Sequence, residues 1–199
     1  MKIIVVGASG TIGKNVADHL AKKHEVVRAS SQNSEVQVDI TDSGSIRAMF
    51  GKVGPFDALV SAAGSGDFAP VSEITEAQFY TGIKSKMMGQ INLALLAQHY
   101  ISDGGSITLT SGILAEDPVA GGVSLSVVNS AIQAFAMAAA TELKRGIRIN
   151  AVSPGIVEDS VDRIGEFFPG HFPVPMDRVI SGYIKSVEGI LSGRVIRVL

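Results

Sequence analysis

Three glycines at intervals of three residues, Gly7, Gly10 and Gly13, lie between a β-branched run, Lys2-Ile3-Ile4-Val5-Val6, and a segment with helical periodicity. Glycine lets the backbone turn tightly and approach a phosphate, and a helix starting there aims free N–H groups and its positive dipole end at an anion. A loop of this kind, directly after a strand and opening a helix, is a pyrophosphate cradle for a dinucleotide, with Gly7, Ser9, Gly10, Thr11, Ile12 and Gly13 as its contacts. The following strand selects the dinucleotide. A carboxylate there would accept from ribose hydroxyls and repel a 2′-phosphate, whereas arginine pairs with that phosphate. The chain reads Arg28-Ala29-Ser30-Ser31-Gln32, without an acid, so Arg28, Ser30 and Ser31 favour NADP(H) over NAD(H).

These residues must be positioned by a repeating βα rhythm. Apolar runs at Lys2–Val6, Glu25–Ala29, Val36–Ile40, Asp57–Ser61, Ser106–Thr110, Ile147–Val152 and Arg194–Leu199 read as strands. Helical segments fall at Ile12–Leu20, Ser45–Phe50, about 76–100, about 124–143 and about 177–188. Strands alternating with helices in this way predict an α/β fold, a three-layer, doubly wound parallel sheet of about seven strands, in one domain over 1–199. No linker or low-complexity stretch divides the chain.

Composition narrows the function. The 199 residues carry 17 Lys+Arg against 19 Asp+Glu, a formal charge of −2, which excludes the electrostatic footprint of a nucleic-acid binder. With 0 cysteines, thiol catalysis and Cys-based metal sites are excluded, and the 4 histidines have no metal-ligand spacing. No signal-peptide core follows Lys2, so a cytoplasmic protein is expected. The 24 residues from Pro118 to Thr141 carry no charge, a membrane-spanning length. Ser124, Ser126, Asn129, Ser130 and Gln133 along that run argue against a span and for a helix buried between its own sheet and a second subunit. A homodimer or homotetramer through the 76–100 and 124–143 helices is the expectation.

Further segments match in order. Val38-Asp39-Ile40-Thr41, Ser61-Ala62-Ala63-Gly64, Thr108-Leu109-Thr110-Ser111 and Arg148-Ile149-Asn150-Ala151-Val152-Ser153-Pro154-Gly155, together with the glycine loop, resemble the short-chain dehydrogenase/reductase family over essentially the whole chain. The resemblance implies that Asp39 and Ile40 face the adenine, that Ala62, Ala63 and Gly64 line the cofactor, and that Pro154, Gly155 and Val157 flank the nicotinamide. It also implies a serine at Ser111 that holds the substrate oxygen. The family's Tyr-x-x-x-Lys pair, in which lysine lowers the tyrosine pKa and tyrosine exchanges a proton, is absent: Leu125 and Asn129 stand in those places. Lys86 stands where the family has a supporting asparagine, three residues before Gly89. Lys86 either carries charge or a proton to the site, or solvates the helix with Lys84.

Ser111, Lys86 and Asn129 are thus the candidate catalytic residues. Glu116 and Asp117 follow Ser111 on a loop and read as solvated charges or as an acid near the site. A substrate lid is expected over about 156–176, where Phe167-Phe168-Pro169-Gly170-His171-Phe172 forms either a hydrophobic plug or an apolar substrate pocket. Two functions remain open at this point: an NADP(H)-dependent oxidoreductase of a small carbonyl or alcohol with a non-standard site, or an NADP(H)-binding sensor or regulatory protein without turnover.

Overall fold

Ile3, Ile4, Val5 and Val6 alternate between two apolar layers and are at most 1% exposed, as a central strand with both faces covered requires. The computed structural model, which describes residues 1–199, places this strand, β1 (Lys2–Val6), in the middle of one parallel sheet. Seven strands in the order β3-β2-β1-β4-β5-β6-β7 make the sheet, from β2 (Glu25–Ser30), β3 (Val36–Gln37), β4 (Phe56–Ser61), β5 (Ile101–Thr110), β6 (Arg148–Pro154) and β7 (Arg194–Val198). The order reverses between β1 and β4, which leaves a crevice at the strands' carboxyl ends where open α/β sheets bind ligands.

On one face, Ile4, Val6, Leu59, Ile107 and Ile149 pack with α2 (Ser43–Val53), α4 (Gly89–Ala97) and α5 (Val123–Ala139) through Phe50, Leu93 and Ile132. On the other, Ile3, Val5, Val60 and Val152 meet α1 (Thr11–Leu20) and α7 (Met176–Val187) through Val16, Leu20, Val179 and Tyr183. A third, smaller cluster of Ile113, Leu114, Ile156 and Phe168 lies under the segment after β6, which contains α6 (Val161–Ile164). No helix is long and apolar enough to cross a membrane, and the uncharged run is accounted for by α5 and its flanking turns.

Several elements differ from the sequence expectation. The third strand is only Val36–Gln37, because Asp39 turns the chain by accepting hydrogen bonds from the Thr41 N–H at 2.8 Å and the Thr41 hydroxyl at 2.7 Å. The helix expected at 76–100 is three pieces: α3 (Glu76–Gly82), a wider π-helical turn over Ile83–Met88, and α4. At its start, Thr75 and Gln78 form a reciprocal capping box.

Polar ties fix α7 to the sheet. Thr108 and Ser186 hydroxyls are 2.7 Å apart in the core, and Asn150 Nδ2 donates to the Leu191 carbonyl at 2.8 Å. Arg148 donates to the carbonyls of Ser186, Val187 and Leu191, which satisfies the end of α7 and the turn after it.

Candidate active site

The glycine loop is built as backbone against backbone. A Cβ on Gly13 would lie 2.1 Å from the Gly7 carbonyl oxygen, so only glycine lets α1 start this close to the loop. Gly13 therefore serves packing beneath the cradle, while Gly7, Ser9, Gly10, Thr11 and Ile12 line the open cleft. The N–H groups of Thr11, Ile12 and Gly13 find no acceptor in the chain, and the first turn of α1 contains no acid. An anion is the partner this arrangement suits.

The cleft runs along the ends of the strands. Its first part, about 390 Å³, is lined by Ser30, Ser31, Asp39 and Ile40 beside the glycine loop, with Val38, Thr41, Ser65 and Ser85 completing the wall. Asp39 is its only charged group, and the two bonds from Thr41 hold its carboxyl below the usual range. Arg28 is not there, contrary to the sequence expectation. Val27 and Ala29 face the α2/α4/α5 layer, so strand alternation turns Arg28 to the α1 layer, where it pairs with Asp18 at 2.8 Å.

Ala62, Ala63 and Gly64 join this part to a second of about 700 Å³, which also contains Pro154, Gly155, Val157, Ser111, Lys86 and Asn129. All three candidate catalytic residues are therefore brought together. Gly64 adopts φ +108°, and a Cβ there would sit 2.5 Å from the Lys86 Cα. The turn after β4 thus presses directly on the π-helical turn that carries Lys86, a helix irregularity of the kind found at functional sites. Lys86 is half-buried, has no hydrogen bond or salt bridge, and shares this second part of the cleft with no carboxylate. Its remaining exposure is toward the cleft, and burial pushes its amine down to about 8.

Ser111 closes β5. Gln90 on α4 holds the preceding residue from both sides, its Oε1 accepting from the Thr110 N–H and its Nε2 donating to the Thr110 carbonyl, each at 2.8 Å. The Ser111 hydroxyl donates to the Asn129 carbonyl at 3.0 Å and accepts from Gln133 Nε2 at 3.2 Å. Gln133 also reaches Glu116 at 3.0 Å, and Glu116 is paired with Arg197 of β7. Glu116 is accordingly a tie to the sheet edge rather than an acid in the cleft. Asn129 is 4% exposed and its Oδ1 has no partner, which leaves an acceptor suited to a hydroxyl or N–H of a bound molecule.

Leu125 also lines the cleft, packed so closely on Gly66 that a Cβ there would lie 2.7 Å from Leu125 Cδ2. Ser124, one residue earlier, faces Gly82 and is fully buried. No tyrosine lines the cleft: Tyr183 is buried beneath β5, where Thr110 accepts its hydroxyl proton at 2.7 Å and burial raises its pKa.

The segment at 156–176 covers this end. It is pinned at its base by Val174 N–H donating to the Ile156 carbonyl at 2.7 Å and by Glu158 N–H donating to the Val174 carbonyl at 3.1 Å. Phe68 stacks on Phe167 at 4.5 Å and meets Phe168 edge-on at 6.2 Å. Phe172, by contrast, is 91% exposed and takes no part. His171 Nε2 lies 3.7 Å from Asp117 Oδ2 on the loop after Ser111.

Sequence reasoning missed Gln90, Gln133 and Arg163, the last of which lines the cleft from α6. Arg163 had one available signal, as the sole cation in the acidic stretch Glu158–Glu166. Gln90 and Gln133 had none, because their roles come from contacts between elements distant in sequence.

A family model described as enoyl-(acyl carrier protein) reductase matches residues 4–170. The structure superposes on that of the protein lin1944 from Listeria innocua with a TM-score of 0.98 and 47% identity, covering 100% of both chains. A small-chain dehydrogenase solved in complex with NADPH gives 0.89 at 29% identity, over 100% of this chain and 96% of its own. An uncharacterized oxidoreductase of Methylorubrum extorquens is 28% identical over 178 residues, which covers 77% of this chain and 72% of the relative. The match spans the glycine loop, the strand ends and most of the lid, and the chain belongs to the short-chain dehydrogenase/reductase family.

Proposed function

We propose that this chain is an NADP(H)-dependent oxidoreductase acting on a small carbonyl or alcohol, with Lys86 exchanging the proton that a tyrosine exchanges elsewhere in the family. The observation that carries the reading is the convergence of Lys86, Ser111 and Asn129 on the cleft that begins at the glycine loop. The unpaired N–H groups of Thr11, Ile12 and Gly13 and the glycine cradle fit a pyrophosphate, and the bound cofactor supplies hydride chemistry. Ser30 and Ser31, with no acid at the end of β2, support NADP(H) over NAD(H). The similar dehydrogenase in complex with NADPH supports the same choice.

In reduction, the carbonyl oxygen gains a proton as its carbon gains the hydride. The Lys86 ammonium gives that proton and is left as a neutral amine, which water reprotonates. Asn129 Oδ1, buried and unpaired, would accept a hydrogen bond from a hydroxyl of the bound cofactor or substrate, whereas a lysine in its place could only donate. Ser111 has one hydroxyl proton, and it is donated to Asn129. Its bond to Gln133 orients the hydroxyl, and donation to a substrate requires release of the Asn129 carbonyl.

That same commitment of the Ser111 proton favours a second reading, a protein that binds NADP(H) without turnover. The two are separated by titrating the purified protein with NADPH and NADH and then following NADPH oxidation with a panel of aldehydes and ketones. Turnover that falls sharply in Lys86→Met supports the enzyme. Tight NADPH binding without oxidation by any carbonyl supports the sensor and removes the proton-exchange role.

A further inference from the structure

The larger part of the cleft contains two charged side chains, Lys86 and Arg163, both cations, and no carboxylate. The lid that provides Arg163 is otherwise acidic: Glu158, Asp159, Asp162 and Glu166 are all exposed and none lines the cleft. Asp159 and Glu166 stand four residues before and three after Arg163, on the short 3-10 turns that flank α6. Arg163 forms no salt bridge with either. Arg163 is exposed like the acids, but it alone of these charged residues borders the cavity. Around Arg163 the wall is apolar, formed by Ile113, Leu114, Ile156, Ile164, Phe68 and Phe168.

We infer that the substrate is a carbonyl compound carrying a carboxylate on a small apolar body, an oxo acid, and that Arg163 is the residue that selects for the acid. A planar guanidinium matches a carboxylate in a two-bond fork, and the neighbouring apolar wall suits the small apolar body beside it. The cofactor's pyrophosphate already has the unpaired N–H groups of the glycine loop, and its 2′-phosphate has the first part of the cleft, at Ser30 and Ser31. The inference rests on the proposed function only in that the cofactor and the substrate share this cleft.

The test is calorimetric and does not need turnover. 4-Methyl-2-oxopentanoate and its methyl ester are titrated into the protein saturated with NADP+, for the native chain, Arg163→Met and Arg163→Lys. The expected result is a preference for the acid of about tenfold or more, lost in Arg163→Met and partly restored in Arg163→Lys, with NADPH affinity within about twofold of native in both variants. Equal binding of acid and ester, or no saturable binding of the acid, overturns the inference. So does a collapse of NADPH affinity in Arg163→Met, which would assign the arginine to the pyrophosphate. Acid-selective binding with no NADPH oxidation by any carbonyl would leave the acid selectivity of Arg163 standing and overturn the oxidoreductase reading, so the two fail separately. Arg163 is exposed on the short helix α6, and circular dichroism of each variant verifies folding.

Discussion

Lys86 owes its character to what is missing around it. No acid lines its cavity, and burial without a counter-ion holds its amine near about 8. A proton donor with that value is spent as pH rises, so reductive kcat should fall through about pH 8 and the oxidative rate should climb over the same range. In Lys86→Met that limb should vanish, and the rate should drop by about 10²-fold or more. Stability gives an independent reading. Between the folded value of about 8 and the unfolded value of about 10.4, the unfolded chain binds more protons, so native stability should rise with pH there and Lys86→Met should remove the rise. Arg28 gives the opposite lesson. Paired with Asp18 away from the cleft, it should leave the ratio of NADPH to NADH affinity within about twofold of native in Arg28→Ala, as measured by quenching or calorimetry. The fold brings Lys86 to the cleft and leaves Arg28 outside it, and the difference is physical. Alternation along a strand decides which layer a side chain enters, and a residue type beside a motif does not reveal that.

The strands and helices were largely legible because both central strands and amphipathic helices carry strong periodicity. The π-helical turn at Ile83–Met88 was not, since it packs against Gly64 from another part of the chain and has no local periodicity to mark it. The same holds for Gln90, which reads as an ordinary helical residue and acts as a two-bonded clamp on the strand end before Ser111. Gln90→Leu leaves a buried N–H and a buried carbonyl of Thr110 without partners. A loss of about 2–4 kcal/mol is expected in urea unfolding, together with a larger loss of kcat than of cofactor affinity, because the clamp supports Ser111 and not the glycine loop. An unchanged unfolding midpoint would show that water or a neighbouring group replaces the amide.

For the molecule as a whole, the outer faces of α4 and α5 form an apolar groove of about 330 Å³ lined by Ala94, Leu95, Phe135, Ala138 and Leu143. Leu95, Val127 and Met137 are exposed by 45%, 46% and 49% on the same two helices. These are the surfaces that the uncharged run led us to propose for self-association. Light scattering should therefore give a dimer or tetramer, and Leu95→Glu combined with Met137→Glu should shift it toward monomer; a native monomer at micromolar concentration would end that proposal. At this scale the doubly wound plan was legible from rhythm alone, whereas the fold was needed to reveal which of the lid's charged residues borders the cavity. One edge of the sheet has a practical consequence. In β7, the Val198 carbonyl accepts from the Gly155 N–H at 2.8 Å, and Arg197 holds Glu116, which meets the Gln133 that bonds Ser111. Polypeptide fused after Leu199 would emerge beside both the Pro154-Gly155 turn and the residues that hold the serine, whereas Met1 lies at the far end of the central strand, so a tag placed ahead of Met1 is the gentler choice for any assay of this protein.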